Sequence, residues 1–333
     1  MFTSGLALLA RSEAERGAFL DEAVTLGFNG VRVFAGELGW AGQTPEGARE
    51  ALPSLLRQAA SRGLYVEVTA VTGSRTGYDV ESHLRRVSAI CSASPNCVIE
   101  AANEYYHPSQ SDLVQDPRRL FGVARQAIAG RIWSLGAPPF DRLQDGAWPV
   151  PVADFITVHL DRGRPFWQQL AGVRGLARIS EHERKPVMNN EPIGAAEAGQ
   201  PGRREADPRF FFALGALSRL FELGVVFHSE DGLNGRQLGP NQRRCAEGFI
   251  AGFRSIQTDA RLTAAEPGSA GSAVAKVSGT AHAFSATDGA RWWIVLLDVS
   301  RKPAVTGRRG WTVTKVIAQR RGIQVVELLR SKR

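Results

Sequence analysis

No stretch of this 333-residue chain approaches the roughly 18 apolar residues of a membrane span, so no membrane partner is expected. Cysteine is scarce. Cys91, Cys97 and Cys245 are an odd number with no CxxC spacing and no matching histidine pattern. Neither a disulfide framework nor a zinc site is expected, and the thiols read as buried or incidental. No strand-like run is followed by GxGxxG or a P-loop, so no cofactor is expected and no metal is required. The opening "MFTSGLALLARSEAERG" lacks a basic n-region and a small-residue cleavage site, and reads as a first strand rather than a signal peptide. Cellular location stays open between the cytoplasm and export after removal of a further segment.

What is present is ordinary globular material: 43% hydrophobic and 22% charged residues, with 35 Gly and 17 Pro. That suffices for one large domain plus a small one, or two medium ones. The formal net charge of +8 suggests a nucleic-acid partner until its distribution is read. Residues 301–333 hold ten Lys or Arg against Glu327 alone, whereas the first 300 residues carry a net charge of −1. Nucleic acid is therefore not the expected partner of the main body. The basic C-terminal segment is either a solvated face or a site for an anionic partner.

Up to about residue 255, apolar strand-like runs alternate with helical patterns. The runs are "SGLALLA" (4–10), "GVRVFA" (30–35), "LYVEVTAV" (64–71), "CVIEAANE" (97–104), "RIWSLGA" (131–137), "DFITVHL" (154–160), "KPVMNNE" (185–191) and "GVVFHSE" (224–230). Between them "SEAERGAFLDEAVTLG" repeats apolar residues at helical spacing. "PEGAREALPSLLRQAASRG" and "DPRFFFALGALSRLFELG" each start on a proline suited to a first turn and end in a glycine suited to a C-cap. Eight strands, nearly all followed by a helix, predict an α/β fold, a (β/α)8 TIM barrel over 1–255. A doubly wound open sheet is the rival. The fifth unit is the weakest, because "GAPPFDRLQDGAWPVPVA" replaces a clear helix with a proline-rich loop. After "AEPGSAGSA" the chain turns to short β-rich runs, which predict a small C-terminal antiparallel β-sandwich module over 256–333.

Barrel active sites lie at the C-terminal ends of the strands. Here the second run holds Arg32, the fourth ends in Asn103 and Glu104, and the sixth ends near His159. The seventh ends in Asn189, Asn190 and Glu191, and the eighth in His228, Ser229, Glu230 and Asp231. Thr69 and Thr72 at the third are uninformative. Two carboxylates facing each other across a barrel mouth are the equipment for splitting a glycosidic bond, one donating a proton and the other attacking. Arg32 would hold Glu191 anionic, and Asn103 would donate to a sugar hydroxyl. Trp40, Tyr105, Tyr106, Trp133 and Trp167 are candidates to stack on sugar faces. Glu100 shares the strand parity of Glu104 and is expected to pair with a neighbouring cation.

"GFNGVRVF", "IEAANE" and "KPVMNNE" together resemble motifs of the clan A retaining glycoside hydrolases, the cellulase-like family 5 barrels in particular, over residues 4–255. The resemblance implies Glu104 as acid/base, Glu191 as nucleophile, and supporting roles for Arg32 and His159. It implies a retaining hydrolase acting on a β-linked oligo- or polysaccharide. Departures are present: the eighth run ends in "FHSEDG" without a tryptophan, and Tyr105 replaces a common proline. His228 and Glu230 are then candidate substrate-binding residues, or parts of a solvated loop. The missing tryptophan keeps a second reading open, a non-catalytic carbohydrate-binding or particle-associated structural protein on a degenerate barrel.

Overall fold

The structure is a computed structural model describing residues 1–138, 150–160, 166–199, 205–257, 262–265, 275–287, 290–307, 311–320 and 323–330. Its eight N-terminal strands are β1 (Phe2–Ser4), β2 (Gly30–Phe34), β3 (Tyr65–Val71), β4 (Cys97–Ala102), β5 (Trp133–Ser134), β6 (Ile156–Val158), β7 (Val187–Asn189) and β8 (Gly224–Phe227). Every pairing among them is parallel, and β1 pairs with both β2 and β8. The order β5-β4-β3-β2-β1-β8-β7-β6 therefore runs around a (β/α)8 barrel whose seam lies between β5 and β6. Trp133 and Asp154 bridge that seam with a 3.0 Å backbone bond and a 3.1 Å bond from Trp133 N to the Asp154 carboxylate.

The first strand is shorter and earlier than the run "SGLALLA" implies. It ends at Ser4, and Leu8–Ala10 form a 3-10 turn that buries Leu8 and Leu9. A short apolar run without periodicity serves a strand or a buried turn equally well. β5 keeps two residues of its run, which bends at Gly136 (φ 130°). The proline-rich stretch of the fifth unit lies mostly outside the described residues.

Local signals set the helices. In α1 (Glu13–Leu26), Ser12 and Glu15 form a capping box, and Gly27 (φ 97°) closes the end. Thr44, Asp79, Asp116 and Asp207 cap α2 (Pro45–Ala60), α3 (Val80–Ser92), α5 (Pro117–Ala127) and α7 (Pro208–Leu220) through their side chains. The short α4 spans Asp112–Gln115 and α6 spans Phe166–Glu183. Pro45 and Pro208 occupy first-turn positions. The left-handed residue after α7 is Glu222 (φ 53°), not the glycine expected there, because Gly224 already starts β8. The cysteines also depart from expectation. Cys91, in the last turn of α3, and Cys97, starting β4, are disulfide-bonded with Cα atoms 5.4 Å apart, because the connection between the two elements is short. Cys245 is buried, with its Sγ 3.8 Å from the Ala206 carbonyl.

The chain divides into two compact units, Met1–Arg162, Arg178–Arg204 and Gly224–Gln242 in the first, and Gly163–Ala177, Glu205–Leu223 and Arg243–Arg333 in the second. All eight barrel strands belong to the first. The second holds a five-stranded antiparallel sheet in the order β12-β13-β11-β10-β9, the C-terminal β module. Its strands are β9 (Thr263–Ala265), β10 (Ala275–Thr287), β11 (Arg291–Gly307), β12 (Trp311–Arg320) and β13 (Ile323–Arg330). Trp292, Ile294, Leu296, Val326 and Leu328 form a core on it. The described α-helices also include the short α8 (Glu230–Leu233) and α9 (Pro240–Arg254). Among the described residues, no helix is long and apolar enough to cross a membrane.

Candidate active site

Strand register stacks the polar side chains inside the barrel. Arg32 on β2 pairs with Glu67 on β3, and one layer on, Thr69 pairs with Glu100 on β4. Arg32, Glu67, Thr69 and Glu100 are each fully buried. Arg32 reaches across the barrel: Nη1 donates to Glu191 Oε2 (3.1 Å) and to the Asn190 carbonyl (3.3 Å) beyond β7. Its Nη2 donates to Glu100 Oε2 (2.7 Å) and Asn103 Oδ1 (2.8 Å). Thr69 donates to the same Glu100 oxygen at 2.6 Å. Asn190 Nδ2 donates to both Glu67 Oε1 (3.0 Å) and Glu100 Oε1 (2.9 Å).

Burial alone would lower the affinity of Arg32 for its proton, but Glu100, Glu67 and Glu191 together raise it. Burial likewise opposes ionisation of Glu100, yet Arg32, His159 and Thr69 hold it below the ordinary carboxylate range. Glu67 goes the other way. Burial and the neighbouring Glu100 push it up to about 8, against the pull of Arg32 and Asn190.

Above this layer lies the carboxylate pair. Glu104 follows β4 with φ 40°, a left-handed backbone rare for a non-glycine residue. Its turn is held from several sides: Asn103 N donates to the Val71 carbonyl (3.0 Å) and His107 N to the Glu104 carbonyl (2.7 Å). The buried Gln110 ties the loop to the β3 loop, donating to Asn103 O (2.8 Å) while accepting from Ser74 Oγ (2.8 Å). Glu104 Oε1 meets His159 Nδ1 at 3.0 Å and accepts from Tyr106 Oη at 3.3 Å. The other ring nitrogen of His159 lies 3.6 Å from Glu191 Oε2. One ligand-type atom from each of Glu104, His159 and Glu191 lies within 4.8 Å of the other two. That trio is the one group among the described residues compact enough to share an ion, but the Arg32 guanidinium on Glu191 opposes a second cation there. Proton transfer suits the arrangement better.

A cavity of about 630 Å³ opens beside Glu104, among the loops after β2, β3 and β4. Glu37, Trp40, Arg75, Asn103, Glu104 and His107 are among its lining residues. Trp40 is 59% exposed there, and Tyr106 is exposed beside Glu104. Other aromatic candidates do not serve as platforms. Tyr105 is buried edge-on to Tyr106, and Trp133 is buried against Phe121, because each sits where the barrel wall needs apolar volume. The Trp167 side chain lies outside the described residues. His228 is buried at the end of β8, and Glu230 opens α8. The His228 carbonyl accepts from Ala195 N and Glu230 N donates to the Ala195 carbonyl, which ties the backbone after β8 to the β7 loop; neither residue is among those lining this cavity. Glu67, Glu37, Arg75 and Gln110 escape a reading of strand ends. Glu67 carries a signal all the same: it is the one charge inside "LYVEVTAV", with the parity of Thr69.

No protein-family model matches this chain, and no curated protein matches it. Solved structures do. A family 5 glycoside hydrolase from Bacteroides vulgatus superposes with a TM-score of 0.65 at 12% identity, covering 99% of this chain and 88% of that one. A structure described as a glycoside hydrolase gives 0.67 at 11% identity, covering 99% and 92%. The fold is the one seen in these glycoside hydrolases. A subfamily 18 member of family 5 from Streptomyces cattleya, solved in complex with GlcNAc, gives 0.56 at 18% identity over 78% of this chain and 81% of that one.

Proposed function

We propose that the chain is a retaining glycoside hydrolase acting on a β-linked glycan, with Glu191 as nucleophile and Glu104 as acid/base. The observation that carries this reading is the approach of the two carboxylates from opposite strands, β4 and β7, with oxygens within 4.8 Å. That separation suits double displacement, which needs about 5–5.5 Å, better than inversion, which needs ~6.5–9.5 Å to seat a water. In the first step a Glu191 oxygen bonds to the anomeric carbon as the glycosidic C–O bond breaks, and Glu104 gives its proton to the departing oxygen. In the second, Glu104 takes a proton from water, whose oxygen displaces Glu191 from the anomeric carbon.

The supporting groups fit these roles. The charge of Arg32 favours the ionised nucleophile. His159 touches both carboxyl groups and Tyr106 touches Glu104, which keeps the proton donor in one place between steps. Trp40 offers an exposed indole at the cavity edge on which an apolar sugar face can stack. The Streptomyces cattleya enzyme was solved with GlcNAc bound, and a hydroxyl-rich ligand suits this cavity equally.

The test is turnover of a panel of aryl β-glycosides and β-linked oligosaccharides, with the anomer of the first product read by NMR. Retention, loss of about 10³-fold or more in kcat for Glu191→Gln, and azide rescue of Glu191→Gly are the expected results. Inversion overturns the mechanism. Binding without turnover favours the carbohydrate-binding reading.

A further inference from the structure

Directly beneath the reacting pair lies a second pair of carboxyl groups that the double displacement does not use. Glu67 and Glu100 come from adjacent strands, and one amide nitrogen, Asn190 Nδ2, reaches both at 3.0 and 2.9 Å. Around them stand Arg32 from β2, His159 beyond β6 and Glu191 beyond β7, with Thr69 and Asn190 as neutral donors. The charges do not balance. Three carboxyl groups, Glu67, Glu100 and Glu191, surround one guanidinium in a space where Arg32, Glu67 and Glu100 have no exposure. Hydrogen bonds single out the odd member. Glu100 takes bonds from Arg32, Thr69 and Asn190, and Glu191 takes one from Arg32. Glu67 takes one, from Asn190. Its Oε2 and the Arg32 Nε facing it at 4.0 Å are both without a hydrogen-bond partner. A buried carboxylate with one neutral donor is costly, whereas a buried carboxylic acid is not.

We propose that Glu67 is kept as a neutral acid under the active site, a positioning residue that leaves the charge of Arg32 to Glu100 and Glu191. Its proton decides how much of that charge reaches the nucleophile. With Glu67 neutral, Arg32 faces two anions; with Glu67 ionised it faces three, and its hold on Glu191 weakens. The shift of Glu67 towards neutral pH agrees with this geometry. The inference deepens the glycosidase reading in its kinetic consequence, but the protonation state of Glu67 stands without it.

The experiment therefore has two arms on the full chain. In the first, carboxyl-labelled glutamate is followed by carbon NMR against pH. One resonance titrating far above the ordinary glutamate range, absent in Glu67→Gln and moved to lower pH in Glu100→Gln, is the expected result. If every glutamate titrates in the ordinary range, Glu67 is ionised and the proposal is overturned. Glu104→Gln removes the other carboxyl that the mechanism needs protonated; the resonance must persist there, its loss overturns the proposal, and this decides the matter even if Glu67→Gln does not fold. In the second arm, the acid limb of kcat/KM should stay in place in Glu67→Gln, because a neutral amide replaces a neutral acid. Adding Glu100→Gln to that variant should move the limb about one pH unit lower, since Arg32 then faces Glu191 alone. A shift in Glu67→Gln itself overturns the proposal. A chain that turns over no glycoside yet shows the high-titrating resonance overturns the glycosidase reading and leaves the neutral Glu67 standing.

Discussion

Glu104 holds a backbone conformation that its Cβ resists, and the loop around it supplies the restraint: Asn103, His107 and Gln110 each fix a backbone group next to it. Left-handed geometry costs a non-glycine residue ~1–2 kcal/mol. Comparing Glu104→Ala with Glu104→Gly isolates that cost, because both lose the carboxyl contacts and only glycine relaxes the backbone. Glu104→Gly should be the more stable by about 1 kcal/mol in chemical denaturation, with turnover severely reduced in both. Equal stabilities would mean that the turn carries no strain. Glu67 makes a second prediction at this scale. In the unfolded chain it releases its proton near the ordinary 4.5, whereas in the barrel it does so only at about 8. Between those values the folded state binds more protons, so this group's contribution lowers stability as pH rises through the window. Glu67→Gln should flatten the pH dependence of stability from 4.5 to 8, by on the order of a few kcal/mol at the upper end. An unchanged slope in denaturation at stepped pH would contradict it.

At the scale of elements, the pair depends on how β4 leaves the barrel. Gly136, just after β5, has φ 130°, and a Cβ there would lie 2.0 Å from the Ala102 carbonyl, next to Asn103 and Glu104. Ala102 N is bonded to the Leu135 carbonyl at 3.1 Å, so the two strand ends cannot separate without breaking the ladder. Gly136→Ala should cost more than the ~1 kcal/mol of an ordinary glycine replacement and reduce kcat through displacement of Glu104. Normal melting and normal kcat in that variant would show that the loop absorbs the methyl. The elements differ in how far they are legible in the sequence. β2, β3 and β4 stand out because apolar residues fill both faces, and the polar exceptions mark the barrel interior. β1 is misplaced by an unpatterned apolar run. The Cys91–Cys97 bond is invisible to spacing rules, because its proximity comes from the α3–β4 turn. Trp40 and Trp133 carry the same side chain, yet one lines a cavity and the other fills the wall. Only the third dimension separates them.

For the whole molecule, a change of texture near residue 256 suggests a clean cut between a barrel and a β module, but the compact units interleave along the chain. Within the second unit, α7 is the reason. Ten of its residues are buried, including Phe210, Phe211, Phe212, Leu214, Leu217 and Leu220, so it is apolar nearly all round and must be covered on more than one side. On one side Gly215 and Gly252 bring α7 and α9 together so closely that a Cβ at either would meet a backbone carbonyl at 2.1 or 1.9 Å. On another, α7 contacts β10, β11 and β13, and Phe221 meets Phe284 edge to face at 6.2 Å. A chain ending at residue 257 keeps α7 and α9 but strips away the sheet. Its α7 would then expose aromatic surface worth ~1.5–3 kcal/mol for each large side chain uncovered. The truncated protein should therefore aggregate or melt well below the full chain, and the full chain should unfold without an early transition belonging to the sheet alone. A soluble 1–257 fragment with the melting temperature of the full chain would show instead that residue 257 is a true domain boundary.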